Sequence, residues 1–257
     1  MIDVSNFKNV LETLEFTAHG DIYEKTFLAS GCSLKVDFHT KKLIYPNEIK
    51  GRERNDGFDQ KENFVVFECV CRLLSKGYRP EHIELEKEWH LGHDAKGGRA
   101  DICVTDADKN MLFIIECKTW GKYDKALNDT KNDGAQLFSY WQQEQSCKWL
   151  VLYAADFRAG NITRKISTID CSDDANIVLL SKKDKSIKLY RDAHTVAAKH
   201  ETWKATYGSR IYDDLIFSDD SVAYQIGVKP LRKKDLRDFT PDDKIVNKFE
   251  EILRHNN

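Results

Sequence analysis

Apolar residues recur at helical spacing in SNFKNVLETLEF and again in KENFVVFECVCRLLSKGY, and the second run closes on Gly77, a residue suited to a helix C-terminus. Between them, SLKVDFHTKKLIY alternates like a hairpin and passes through Pro46-Asn47 into the polar loop GRERNDGFDQ. Three segments with strand patterning follow, HIELEKEWHL, GRADICVTD and NMLFIIECK, the last two joined by the turn-like Ala107-Asp108-Lys109-Asn110. A polar helix is predicted from Lys125 to Gln145, then a strand over KWLVLYAAD. The predicted order is helix, three strands, helix, strand, which makes an α/β fold. Further on, NIVLLSKKDKSIKLYRD reads as a hairpin and HTVAAKHETWKATYG as a short helix. The charge-rich tail enters another helix near Asp242 and is expected to be a linker in a longer protein. These boundaries predict a lead-in over residues 1–60 packed on the core, a main domain over 61–228, and a linker with the start of a helical segment over 229–257.

At 257 residues and 41% hydrophobic, the chain can bury a substantial core. Its formal charge of −2 announces no global field for a polyanion, so a DNA-binding face would have to be local. No apolar run approaches the roughly 18 residues of a membrane span, and the N-terminus lacks the basic-then-apolar layout of a leader. A soluble cytoplasmic protein is expected. The seven cysteines are odd in number and form no Cys-x-x-Cys pair, which predicts buried hydrophobes in a reducing compartment, not disulfides or a zinc site.

Against this background three charged groups stand out, because Asp101, Glu116 and Lys118 ride on apolar strands. Strand alternation puts Glu116 and Lys118 on one face with Ile114, while Ile115 and Cys117 point the other way. A buried charge must be paired or must hold something. Two converging carboxylates with a substrate phosphate meet the oxygen demand of a hard divalent cation such as Mg²⁺, and a nearby lysine can orient or deprotonate an attacking water. Phosphodiester hydrolysis is the chemistry this pattern suggests.

A second Glu-x-Lys occurs at Glu48-Ile49-Lys50 with Asp37 upstream, but it runs into Gly51 and a charged loop with no apolar strand to fix it. Two signals favour the downstream copy. Glu68 falls on the apolar stripe of its helix, where it either reaches solvent from the edge or serves as a third acidic group at the centre. Gln136 and Tyr140 share a helix face in GAQLFSYWQQE; alone they would be read as packing and a local hydrogen bond. His90 and His93 are expected in solvent, RKKDLR as a solvated face, and Trp120 as packing at the mouth of the site, with base stacking as its alternative.

Glu68, Asp101, Glu116-Cys117-Lys118 and Gln136 to Tyr140 in this order resemble the PD-(D/E)xK nuclease superfamily, in its QxxxY branch. ENFVVFECVCRLLSKGY, HIELEKEW, GGRADICV, IIECKT and QLFSYWQQE look like the N-terminal nuclease region of fused bacterial restriction-modification proteins, type I R subunit-like or type IIG-like, most strongly over residues 60 to 155. The resemblance implies a restriction-endonuclease-like αβββαβ core with a mixed sheet, plus a helix-hairpin lead-in and a C-terminal hairpin and helix. It implies that Asp101 and Glu116 bind Mg²⁺, with Mn²⁺ a possible substitute. Lys118 would assist the water, Glu68 would be the helix acid, and Gln136 and Tyr140 would support the site or the DNA backbone. Arg99-Ala100 stands where the family has proline before the aspartate, which brings Arg99 and Lys96 near enough to meet phosphates. The implied partners are double-stranded DNA and methyltransferase or specificity domains or subunits, with dimerisation for double-strand cleavage. No methyltransferase cofactor loop, Asn-Pro-Pro segment or GxxxxGK[ST] loop occurs, so S-adenosylmethionine or ATP would enter only through other domains. Two rival readings are a nuclease-like module that binds DNA or a partner without cutting, and a nuclease acting on RNA or branched junctions.

Overall fold

A computed structural model describes residues 1–171 of the chain, apart from 29, 92–94, 107–108 and 134. The hairpin, helix and tail predicted from residue 176 onward, and His93, lie outside the described residues.

The described chain is α/β. Helix α1 (Phe7–Thr13) is followed by a four-stranded antiparallel sheet of β1 (Thr17–His19), β2 (Ile22–Phe27), β3 (Cys32–Asp37) and β4 (Lys42–Ile44). The predicted hairpin is β3–β4, and sequence reasoning missed β1 and β2, whose short alternation is masked by charged residues. Helix α2 (Lys61–Ser75) then leads into a five-stranded sheet of β5 (Ile83–Leu91), β6 (Ala95–Thr105), β7 (Met111–Cys117), β8 (Trp149–Arg158) and β9 (Asn161–Asp170), adjacent in that order. Only the β7–β8 pairing is parallel. Its crossover carries α3 (Trp120–Asp133) and α4 (Ala135–Gln143). The expected single helix is thus two.

Helix α2 is buried over nearly its whole circumference, from Asn63 to Cys71 and again at Leu73 and Leu74, as befits a helix apolar on most sides. It ends as the sequence predicted. Gly77 adopts φ 90°, Tyr78 N–H donates to the Leu73 carbonyl and Gly77 N–H to that of Leu74, which together close a Schellman cap.

Two cores sandwich the second sheet. On one side, Ile102, Val104, Phe113, Ile115, Cys117, Val151 and Tyr153 pack with α2 and with lead-in residues such as Phe7, Leu34 and Tyr45. On the other, Cys103, Ile114, Leu150, Leu152 and Ala154 pack with Tyr123, Leu137 and Tyr140 of α3 and α4. Strand β7 is buried at all seven positions, the pattern of a strand covered on both faces. Strand β9 was not predicted. It returns from β8 through Ala159-Gly160, whose φ angles of 49° and 80° form a two-residue hairpin turn of the kind that suits the twist of the flanking strands.

Candidate active site

The parallel pairing of β7 with β8 ends at Cys117 opposite Tyr153, and the Lys118 N–H still donates to the Tyr153 carbonyl at 2.8 Å. The chain then turns into α3, so the last strand residues stand where the sheet opens. Glu116 and Lys118 project to the α3–α4 side and are ion-paired through Glu116 Oε1. Asp101 comes from β6, one position beyond the Ile102–Ile115 pair, and its Oδ2 accepts the Cys117 N–H at 2.6 Å. Tyr140, fully buried on α4, shares its proton between the Arg99 carbonyl at 2.5 Å and Glu116 Oε2 at 3.1 Å.

The electrostatics match this crowding. Burial raises the Asp101 carboxyl well above its usual range, and the Glu116 charge raises it further. Burial also raises Glu116, against the lowering effect of the Lys118 ammonium and the Tyr140 hydroxyl. Lys118 loses hydration, yet Glu116 and Asp101 more than compensate, and its ammonium is held above the ordinary lysine range.

Gly98 makes room for Tyr140. A Cβ there would sit 2.4 Å from Tyr140 Cε1 and 2.9 Å from Cδ1, and the same ring stacks on Trp89 at 5.5 Å between centroids.

The predicted site residues divide. Asp101, Glu116, Lys118 and Tyr140 come together. Gln136, one turn before Tyr140, is exposed. Arg99 directs its guanidinium to Glu86 and lies 4.0 Å from Glu88, so its head is already engaged by carboxylates. Lys96 lies in β6 opposite His90, and the side chains of both are outside the described residues. Glu68 is not brought to the cluster. It sits on the α2 side of the sheet, fully buried, accepting Tyr153 Oη–H at 2.6 Å and Arg164 at 2.6 and 2.9 Å. The charge on the apolar stripe is therefore accounted for by a buried ion pair. In the upstream copy, Asp37 accepts the His39 and Thr40 N–H groups of its own turn and Glu48 is exposed, so no carboxylate pair forms there.

One residue was missed. Glu62, in the first turn of α2, bears electrostatically on both Glu116 and Lys118, and its Oε1 is buried without a hydrogen bond, 4.0 Å from Lys122 Nζ. An acidic residue in the first turn of a helix is favoured by the helix dipole alone, so its position carries no signal of a site.

Among the described residues, no group of three or more His, Cys, Asp or Glu is arranged to hold a metal ion. Asp101 and Glu116 fit a cation that takes one or two carboxylates and keeps several waters, as Mg²⁺ does, and a cation there would offset the burial that disfavours both ionised carboxylates.

Residues 62–155 match a family model described as the type I restriction enzyme R protein N terminus. The matched stretch contains Glu62, Asp101, Glu116, Lys118 and Tyr140, and it supports a restriction-enzyme N-terminal region over these residues. No curated protein matches the chain. No helix among the described residues is long and apolar enough to cross a membrane.

Proposed function

We propose that the chain is a DNA endonuclease module of a restriction enzyme, of the PD-(D/E)xK class with a QxxxY-type helix, hydrolysing phosphodiester bonds. The observation that carries this reading is the convergence of Asp101, Glu116, Lys118 and Tyr140 at the open end of β7, inside the stretch that matches a restriction-enzyme family. Asp101 and Glu116 would hold Mg²⁺ or Mn²⁺, which when bound supplies Lewis acidity toward the phosphate and its attacking water. Lys118 holds a positive charge where phosphorane oxygens would develop and can orient the nucleophile. Tyr140 fixes the Glu116 carboxylate from behind, and Gly98 permits that contact. The partners of this reading are duplex DNA and the modification or specificity parts of the same system, in a cytoplasmic setting.

The test is plasmid nicking in Mg²⁺ by wild type and Lys118→Ala, with calorimetric Mg²⁺ or Mn²⁺ binding by wild type and Asp101→Ala. Loss of nicking with Lys118 and loss of binding with Asp101 are expected. Equal nicking by the Lys118 variant would sink the assignment. The non-cutting reading has one observation in its favour, since both Glu116 oxygens already have partners; metal binding without nicking would select it.

A further inference from the structure

Beyond Tyr153, β8 continues for five residues to Arg158, past the last residue of β7. At about 3.3 Å per residue, the β8–β9 arm therefore overhangs the end of the catalytic strand by roughly 16 Å. Its two faces differ. Phe157, Ile162 and Ile166 pack on the α2 side. Register puts Leu152, Ala154, Asp156 and Arg158 on the opposite side, with Leu152 level with Glu116, and puts Lys165 beside Ala154. The arm thus carries Arg158 and Lys165 on the face that holds Glu116 and Lys118, while Arg164 serves Glu68 on the other.

Trp120, two residues after Lys118, organises them. Arg158 lies 4.9 Å and Lys165 4.7 Å from its ring centroid, and Lys165 is also 5.5 Å from that of Tyr123. Asp156 grips Arg158, and Asp124 holds Lys165 at 2.7 Å. With two cations on one indole, the ring is engaged by charge and not offered to a base.

We infer that the cation pair Lys165 and Arg158, set on Trp120, is a binding track for the phosphate backbone of duplex DNA leaving the candidate catalytic cluster. This rests on the nuclease reading above for the direction of the track. The acids beside it do not forbid the role. Asp124 is 73% exposed, so its pair with Lys165 is worth little and can be exchanged for a phosphate, whereas buried Asp156 orients Arg158 without presenting charge to solvent. A roughly 16 Å arm spans the axial rise of about five phosphates at 3.4 Å per nucleotide on one strand, enough for the two cations to meet separate phosphates.

The test is fluorescence anisotropy of the full chain with labelled duplex DNA in Ca²⁺ or EDTA, over a salt series, for wild type, Arg158→Gln, Lys165→Gln and Asp124→Asn. The two cation variants should bind more weakly, each flattening the log–log salt slope by about one. Asp124→Asn should bind more tightly. Thermal melting of the same variants, all at exposed or half-exposed heads, separates binding from folding. Unchanged affinity and slope in both cation variants, or no binding by wild type, overturns the track. Displacement of the duplex by polyglutamate at matched charge overturns it in favour of an acidic protein partner. Patch-dependent binding with no Mg²⁺-dependent nicking would sink the nuclease reading and leave the track standing.

Discussion

Tyr140 places its hydroxyl 3.1 Å from Glu116 Oε2 while also serving the Arg99 carbonyl, so one buried phenol ties α4 to two strands and to the candidate metal-binding carboxylate. Tyr140→Phe keeps the ring that stacks on Trp89 and removes only the donor. The hydroxyl lowers the Glu116 carboxyl, so its loss raises that group further and moves the pH needed to ionise it upward. The acid limb of nicking against pH should shift to higher pH, with the fold intact and a stability loss of about 1 kcal/mol for the lost hydrogen bond. An unmoved acid limb would show that the contact does not tune Glu116.

Glu62 supplies a sharper test because its Oε1 is buried without a hydrogen bond, with the Lys122 ammonium 4.0 Å away, while its charge bears on Glu116 and Lys118. If it completes the acidic cluster, Glu62→Gln should weaken Mn²⁺ binding by calorimetry and cut the nicking rate by roughly tenfold, the scale on which residues supporting a metal site act. Melting temperature should fall little, since the amide fills the same space. Unaltered metal affinity would return Glu62 to a helix-terminus role.

Gly98 should not tolerate alanine. The new methyl would press on a Tyr140 ring held by its hydroxyl bonds to the Arg99 carbonyl and Glu116, and overpacking of this kind costs about 1–3 kcal/mol. Gly98→Ala is expected to melt earlier and to nick more slowly, and a wild-type rate would mean the ring can move without consequence to Glu116.

Much of this was legible in the sequence, and the exceptions have physical causes. Long, strongly apolar elements such as α2 and β7 show their type because burial on all sides leaves no polar positions to confuse the pattern. Strand β9 was missed because NITRKISTID is rich in polar and charged residues and half-buried along most of its length, and its turn signal, Ala159-Gly160, is weaker than Asn-Gly. Asp101, Glu116 and Lys118 could be placed from strand alternation alone. Glu68 could not, because whether a charge on an apolar stripe finds a metal or an arginine depends on Arg164, which is 96 residues away in sequence.

The Glu68–Arg164–Tyr153 network makes its own prediction. Removing one member of a buried ion pair strands the other, which costs about 3–5 kcal/mol, whereas replacing both with apolar residues is often nearly neutral. Glu68→Leu should be strongly destabilised, and Glu68→Leu with Arg164→Met should recover much of the loss in denaturant unfolding. Metal affinity should follow neither change if Glu68 stands apart from the site, as its position across the sheet from Glu116 requires. A drop in Mn²⁺ affinity in the stable double variant would reconnect Glu68 to the metal centre.

Asp101 and Glu116 should cost the protein stability when no cation is bound. Burial raises the folded-state pKa of Asp101 well above its reference 3.8, and that of Glu116 above 4.5. A folded-state pKa above the unfolded value means the native protein binds more protons, so stability falls as pH rises through the window from the reference to the raised value. Lys118 runs the other way in effect. Its raised pKa gives stability that is complete below 10.5 and is lost only as pH climbs through the folded value, so it does not contribute to the slope near neutrality. Asp101→Asn keeps an oxygen for the Cys117 N–H and removes the ionisation. In EDTA it should therefore melt higher than wild type at pH 7.5, and the difference should vanish near pH 4, where Asp101 is neutral in the folded state in any case. Saturating Mg²⁺ should stabilise wild type and leave the variant unmoved. Two melting curves of equal midpoint at pH 7.5 without metal would show that Asp101 is neither buried nor crowded enough to store this energy, and would remove the electrostatic argument for a cation site at the end of β7.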